Sequence, residues 1–477
     1  MNKRIRIILL LAFSVQLLAA ISFAADVKIV GKQLFVDGKL FTVKGVNYGY
    51  TPVGEGYRTY DWTIHPEIYK KDFALIRAMG ANTIRLHSIP TDSKVLDAAY
   101  EYGLYVIITA SVDWLNDFNV QANRDKVIND FTVLVNRWKD HPALLMWLVG
   151  NEINFHTVSL PGWYSLLNEC AVTAHRLEGA KFHPVTSAEA NTTSLANPLN
   201  KSDDANMPDL DLWATQVYMA ATPGFEQMFT EYATRSSKPL ILTEFGCDAY
   251  NIITQKEDQD AQATTLRGEI NIINQHLSAD DPTKICVGGA VFQWADDWSK
   301  NFNQNGFANS SHDTSGDWTD EAYYDFVDNN TKNMNEEWWG IVSITPGTDD
   351  KTLRTAYTTL QSLWGQNISG TASLSRSVET GITNYPNPFK PGDSSTTIVF
   401  SVAPQTDVTV KIYDIAGNLV KVLKEDKSGD AYTQIKLSWD GRDGDGKIIA
   451  NGVYICYVQA SGPNGTDVLY RKILALK

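Results

Sequence analysis

Between residues 42 and 294 the chain alternates short β-branched or apolar runs with longer stretches whose apolar positions recur at helical spacing. This is the pattern of successive βαβ units around a parallel sheet. Eight runs read as strands, at 42–49, 81–88, 104–110, 143–152, 183–189, 212–218, 239–246 and 286–294. Between the first two, Pro66 suits a first helical turn, Gly80 suits the residue after the last, and Tyr69, Phe73 and Ile76 fall on one face. Asp92 and Gly103 bracket the next helix in the same way, and a closing helix is expected over 351–364. Eight strands, seven crossovers and a final helix predict an α/β fold of the (β/α)8, or TIM, barrel type. An open doubly wound sheet would call for a glycine-rich phosphate loop after the first strand, and no such motif is present.

The flanking segments follow other patterns. Ahead of the first strand, Asp37-Gly38 between apolar runs predicts a β-hairpin that lies against the barrel's bottom. An excursion over 299–350 is rich in Asn, Asp and Gly yet carries Trp318, Tyr323, Tyr324, Trp338 and Trp339. Disordered segments are poor in aromatics, so this loop is expected to be functional. Residues 367–381 turn to Ser, Thr and Gly and read as a linker, and 382–477 read as short alternating strands of a small C-terminal Ig-like β-sandwich. The barrel is thus expected over 25–366.

The first 24 residues combine a basic start (Lys3, Arg4, Arg6), an apolar run broken by Ser14 and Gln16, and the small-x-small triplet Ser22-Phe23-Ala24. They read as a signal peptide cleaved after Ala24, and the protein is expected to be secreted. The formal charge of −14 becomes three units more negative once that leader is lost, which excludes nucleic acid as a partner and favours neutral substrates. Cys170, Cys247, Cys286 and Cys456 show neither a C-x-x-C pair nor scaffold spacing and read as small buried residues. His65, His87 and His141 are scattered without metal-ligand spacing, so no metal and no cofactor is expected.

Reactive groups of such a barrel sit where strands end and βα loops begin. Glu152 closes the fourth strand in VGNEIN, and Glu244 closes the seventh in LTEFG. Met146, Leu148 and Gly150 share a strand face with Glu152, and Leu240 and Leu242 share one with Glu244, so both carboxyls are expected to meet the barrel mouth. Two such groups about 5 to 5.5 Å apart can cleave a glycosidic bond with retention, one as acid and one as nucleophile. Arg85 in TIRLHS can hold Glu244 ionised, and Tyr218 can donate a further hydrogen bond. Trp294 and Trp114 can stack on pyranose rings, although each is equally at home in a core. In the last segment, DGRDGDGK (440–447) fails the EF-hand spacing and reads as a tight turn.

The first domain resembles the clan A glycoside hydrolases, most closely the catalytic barrels of family 2 β-glycosidases and the related β-1,3-glucanosyltransferases, with NEIN and TEFG as the most specific segments. The resemblance implies that Glu152 is the acid/base, Glu244 the nucleophile and Asn151 the ligand of the sugar 2-hydroxyl, with Arg85, Tyr218 and Trp294 as further site residues. It implies an oligo- or polysaccharide substrate, with β-1,3-glucan ahead of β-galactoside or β-mannoside. Transglycosylation by the same pair and a non-catalytic glycan-binding barrel are the competing readings. Many relatives carry proline where this chain has Ile153. The motifs NYPNPFKPG (384–392), VKIYDIAGNLV (410–420) and WDGRDGDGKIIANGVYICYV (439–458) resemble the C-terminal sorting domains of type IX secretion cargo and the Ig-like fold of flagellar hook-capping proteins. That resemblance implies the outer-membrane secretion machinery as a partner where the host has it, and otherwise a plain accessory module on a periplasmic protein.

Overall fold

A computed structural model describes residues 24–57, 59–300, 310–316, 334–365, 382–402, 407–415, 417–427, 433–462 and 465–477. The expected leader up to Phe23, the expected linker, and Trp318, Tyr323 and Tyr324 lie outside the described residues. The chain divides into two compact units between Ile368 and Ser369.

In the first unit eight parallel strands close into a barrel. They are β1 (Val43–Tyr48), β2 (Thr83–Leu86), β3 (Tyr105–Ala110), β4 (Leu144–Asn151), β5 (Val185–Glu189), β6 (Trp213–Val217), β7 (Leu240–Phe245) and β8 (Cys286–Val291). Each lies inside a run that the sequence marks as a strand, and β8 pairs with both β7 and β1 to complete the ring.

The outer layer holds α1 (Pro66–Ala78), α2 (Lys94–Glu101), α3 (Gln121–Trp138), the short α4 (Ile153–His156), α5 (Leu160–Glu178), α6 (Pro223–Ala233), α7 (Gln259–Gln275) and α8 (Thr355–Gly365). The crossover from β5 to β6 departs from the expected alternation, since it contains a single 3-10 turn, Pro198–Asn200, and no α-helix. Its residues are rich in Asn, Asp and Ser, whose side chains bond their own backbone instead: Asn197 Oδ1 accepts from Leu199 N, and Asp203 Oδ1 from Ala205 N.

Strand alternation sorts the apolar side chains into two layers. Ile107, Met146, Leu148, Ala214 and Ile241 fill the barrel interior, whereas Trp147, Val149, Leu240 and Leu242 pack outward against helices. Val27, Leu34 and Val36 of the N-terminal strands join the interior cluster, so the predicted hairpin seals the bottom of the barrel. Its turn is Asp37-Gly38, with φ of 50° and 73°, the backbone of a two-residue hairpin loop.

The second unit packs a three-stranded antiparallel sheet (Thr383–Tyr385, Thr396–Val402, Thr433–Trp439) against a four-stranded one (Leu419–Lys427, Asp407–Asp414, Gly452–Gly462, Gly465–Ala475). Ile398, Phe400, Val410, Ile412, Trp439 and Cys456 form its core. Asp443 Oδ1 accepts from the N–H groups of Asp445 and Lys447, so this carboxylate closes its own turn. All four cysteines are buried and unbridged. Among the described residues no cluster of His, Cys, Asp or Glu could hold a metal, and no helix is long and apolar enough to cross a membrane.

Candidate active site

Both glutamates follow a break in strand register. On β4, Leu148 pairs with Thr186 and Asn151 with Ala188, so three steps on one strand match two on the other. Gly150 sits in this bulge at φ 74°, where an added Cβ would stand 2.5 Å from the Ile153 side chain. On β7, Leu242 pairs with Thr215 and Glu244 with Gln216, again one residue too many. Such bulges re-aim the side chains that follow them. They correct the expected phase: Leu240 and Leu242 face the helices, and Glu244 reaches the mouth because the bulge reverses the alternation. Glu152 itself has φ 54° and ψ 28°, anchored by its N–H to the Ala188 carbonyl at 2.7 Å. Left-handed backbone at a glutamate costs on the order of 1–2 kcal/mol, so the surrounding structure imposes it.

Glu244 lies in a nest of donors. Its Oε1 accepts from Arg85 Nη1 at 2.5 Å and Gln216 Nε2 at 2.7 Å, and its Oε2 accepts from the Tyr218 hydroxyl. Arg85, on β2, is fully buried and also donates to Asn47 Oδ1 at 3.1 Å and Asn151 Oδ1 at 2.6 Å. Burial, followed by the Glu244 charge, pushes the Tyr218 phenol well above its ordinary value, so it remains a donor. Asn151 Oδ1 takes a second hydrogen bond from Gln216 Nε2 at 2.8 Å, which fixes the amide with its Nδ2 as the remaining donor.

His87 extends this network. Asn47 donates through Nδ2 to the Thr243 carbonyl, so its Oδ1 must accept, and His87 Nε2, 3.1 Å away, is the protonated ring nitrogen. Surrounding protein first, then the charges of Arg85 and Lys300, push the imidazole well below its usual pKa and keep it neutral. The same Nε2 lies 3.5 Å from Glu244 Oε1.

Glu152 meets the opposite conditions. Burial, then the negative charges of Glu244 and Glu336, raise its pKa to about 7, against smaller opposing contributions from Arg85 and Lys300. At neutral pH half of such a group still carries its proton, the state required of a general acid.

The structure therefore brings Glu152, Glu244, Arg85, Asn151 and Tyr218 together, whereas Trp294 and Trp114 make no hydrogen bond or ring contact with these five among the described residues. Trp294 is fully buried, edge-on to Tyr357, and offers no face to a ligand. Residues 292 and 294 share a side of the extended chain, but β8 has ended at Val291, so alternation no longer decides which ring reaches the mouth. Phe292 takes that place, with its ring 6.2 Å from those of both His87 and Tyr218. Trp114 is 43% exposed on the β3–α3 loop, with its ring 4.6 Å from that of His156, four residues beyond Glu152.

The sequence reading passed over Asn47, Gln216, Lys300 and Glu336, and weighed His87 only as a metal ligand. For Gln216 there was a signal, since it stands near the end of β6, two residues before Tyr218. Lys300 and Glu336 are 36 residues apart and meet at 2.9 Å, because the chain at Glu336 has returned to the mouth beside Lys300. In its described part Trp339 packs edge-on to Tyr218 at 4.7 Å, and His312 is stacked between Trp298 and Trp338.

Fold and mouth together define a TIM-barrel protein with a paired-carboxylate site at the ends of strands four and seven. Residues 27–312 match the family described as glycosyl hydrolases family 2, TIM barrel domain, and the chain belongs to that family. Residues 387–464 match the FlgD Ig-like domain. Among curated proteins, the chain is 27% identical over 291 residues to a β-glucuronidase of Chlorocebus aethiops, covering 57% of this chain and 41% of that protein. It is 32% identical over 135 residues to a β-galactosidase of Arthrobacter sp. (strain B7), covering 26% of this chain and 13% of that one. The chain thus spans about two fifths of the β-glucuronidase it matches. A family 2 β-galacturonidase from Eisenbergiella tayi, solved with glycerol bound, shares the fold with a TM-score of 0.50 at 16% identity, over 74% of this chain and 55% of that one.

Proposed function

We propose that this protein is a retaining β-glycosidase that cleaves a β-linked glycan by double displacement. One observation carries the reading: two glutamates at one barrel mouth, Glu244 held by Arg85, Gln216 and Tyr218 as an acceptor-only carboxylate, and Glu152 desolvated to a pKa of about 7.

In the first step Glu152 gives its proton to the departing glycosidic oxygen as a Glu244 oxygen bonds to the anomeric carbon and the C–O bond breaks. Glu244 is then a neutral ester. With that charge gone, the pKa of Glu152 falls and its carboxylate takes a proton from water, whose oxygen attacks the same carbon. The ester bond breaks, and Arg85 and Tyr218 receive the returning negative charge on Glu244. Asn151 Nδ2 is the donor available to the sugar 2-hydroxyl, and Phe292 supplies the aromatic face expected of Trp294.

A neutral sugar suits this mouth better than an anionic one, since Glu336 adds a third carboxylate and occupies Lys300. β-1,3-Glucan is the preferred glycan on the motif resemblance to β-1,3-glucanosyltransferases, although the relatives' names point to β-glucuronides and β-galactosides. Export is part of the proposal and rests on the basic-apolar leader and the sorting-type motifs of the last domain.

The deciding experiment is proton NMR of the sugar first released from an aryl β-glycoside. The β-anomer is expected, and the α-anomer would overturn the mechanism. With laminari-oligosaccharides, shorter products mean hydrolysis and products longer than the starting material mean transglycosylation.

A further inference from the structure

A cavity of about 160 Å³ opens at the barrel mouth on the far side of His87 from Glu244, and its place on the barrel determines which end of a substrate it meets. Its walls are the ends of β8, β1 and β2 and the loops beyond them, including Tyr57, Trp62, Ser88, Asp297 and Lys300. In the ring order β4 stands four strands from β8, diametrically across the barrel, so the cavity and Glu152 occupy opposite sides of the mouth. Asn47, His87 and Phe292 line the cavity too, and His87 reaches to 3.5 Å from Glu244, so the space shares a wall with the reaction site.

The chemistry of the acid sets the direction. Glu152 must stand beside the departing oxygen, which places the leaving group on the β4 side. In a pyranose, O3 and O4 lie at the far end of the ring from that oxygen. A sugar linked there extends toward β8, β1 and β2, where the cavity is. The lining suits such a residue: Tyr57 and Phe292 offer aromatic surface, while Ser88, Asp297 and Lys300 offer hydrogen bonds. Gln293 Nε2, on the same wall, is a buried donor with no partner among the described residues. Lys300 is held in place by Glu336 at 2.9 Å and by the Phe292 ring at 4.7 Å.

We infer that this cavity is a second glycone subsite, which takes the sugar on the non-reducing side of the one attacked. The protein therefore works on β-linked chains with at least two glycone units and is not confined to single terminal residues. The inference rests on the retaining-glycosidase reading above.

The test compares p-nitrophenyl β-glycosides that share a leaving group and differ by one glycone unit: β-glucoside against β-laminaribioside and β-cellobioside, and β-galactoside against β-1,4-galactobioside. Because remote binding energy is expressed in the transition state, at least one bioside is expected to gain about tenfold or more in kcat/KM over its monoside. Ser88→Trp, which fills the cavity, is expected to erase that gain and leave monoside kcat/KM within about twofold, with Tyr57→Ala weakening it less. Equal turnover of monoside and bioside in every pair overturns the subsite and leaves the glycosidase reading standing. A gain that survives both substitutions also overturns it, because the extra sugar then binds elsewhere. Failure of every pair in the unaltered protein, together with failure of p-nitrophenyl β-glucuronide and β-mannoside, removes the glycosidase reading, and the subsite with it.

Discussion

Glu244 accepts hydrogen bonds from Arg85, Gln216 and Tyr218, whereas the Glu152 carboxyl has no hydrogen-bond partner among the described residues. Both follow a bulge on a strand of the same barrel, and both open on the same mouth. What separates them is which neighbours the bulges turn toward them. Strands β2 and β6 supply a cation, an amide and a phenol to one, while the other is left to burial and to the field of two carboxylates. Identical side chains thereby acquire opposite surroundings, as the acid and nucleophile roles proposed for them require.

That contrast can be broken at either end. Glu244→Gln keeps the shape and removes the nucleophile, and kcat on an aryl β-glycoside is expected to fall by at least about 10⁴-fold with the thermal transition retained. Unchanged turnover in this variant would place the reaction elsewhere. Glu152→Gln is expected to cost about 10²- to 10⁴-fold on substrates with poor leaving groups and much less on activated aryl glycosides. In the unaltered protein the acid must be protonated in the first step, so kcat/KM should hold below pH 7 and decline as pH rises through about 7. That alkaline limb should vanish in Glu152→Gln, and a limb that persists would assign the titration to another group.

Arg85→Met leaves a buried carboxylate without its cation, with an expected loss of about 3–5 kcal/mol in stability by denaturant unfolding along with most activity. Tyr218→Phe removes one hydrogen bond to a charged group and is expected to reduce kcat about tenfold to a hundredfold. The comparison is sharpened most finely by following the Glu152 titration in Glu244→Gln. Its pKa should drop when the neighbouring charge is lost, yet stay above the ordinary carboxylate range because burial, the larger cause, remains.

All eight barrel strands were legible because each pairs β-branched or apolar runs with clear turn and helix signals, as at Pro66 and Gly80. Glu152 and Glu244 were legible because they end such runs. Their orientation was not. Period-two counting works only while register is kept, and the bulges at Gly150 and before Glu244 are set by how neighbouring strands pair, which a single strand does not encode. The same holds for Phe292 and Trp294, since chain that has left the sheet no longer alternates. The missing helix between β5 and β6 was partly visible in its Asn, Asp and Pro content. The Lys300–Glu336 pair was invisible, because it depends on how a long loop returns.

The interior of the barrel is packed and closed beneath by the N-terminal hairpin, so among the described residues the two glutamates are reached from the mouth. In the double displacement proposed above, whatever departs in the first half of the cycle exits by the route along which the second reactant must arrive. Water and a fresh carbohydrate hydroxyl would then compete for the berth just vacated beside Glu152, and the length of time the released fragment lingers there would decide whether the chain is cut or rebuilt.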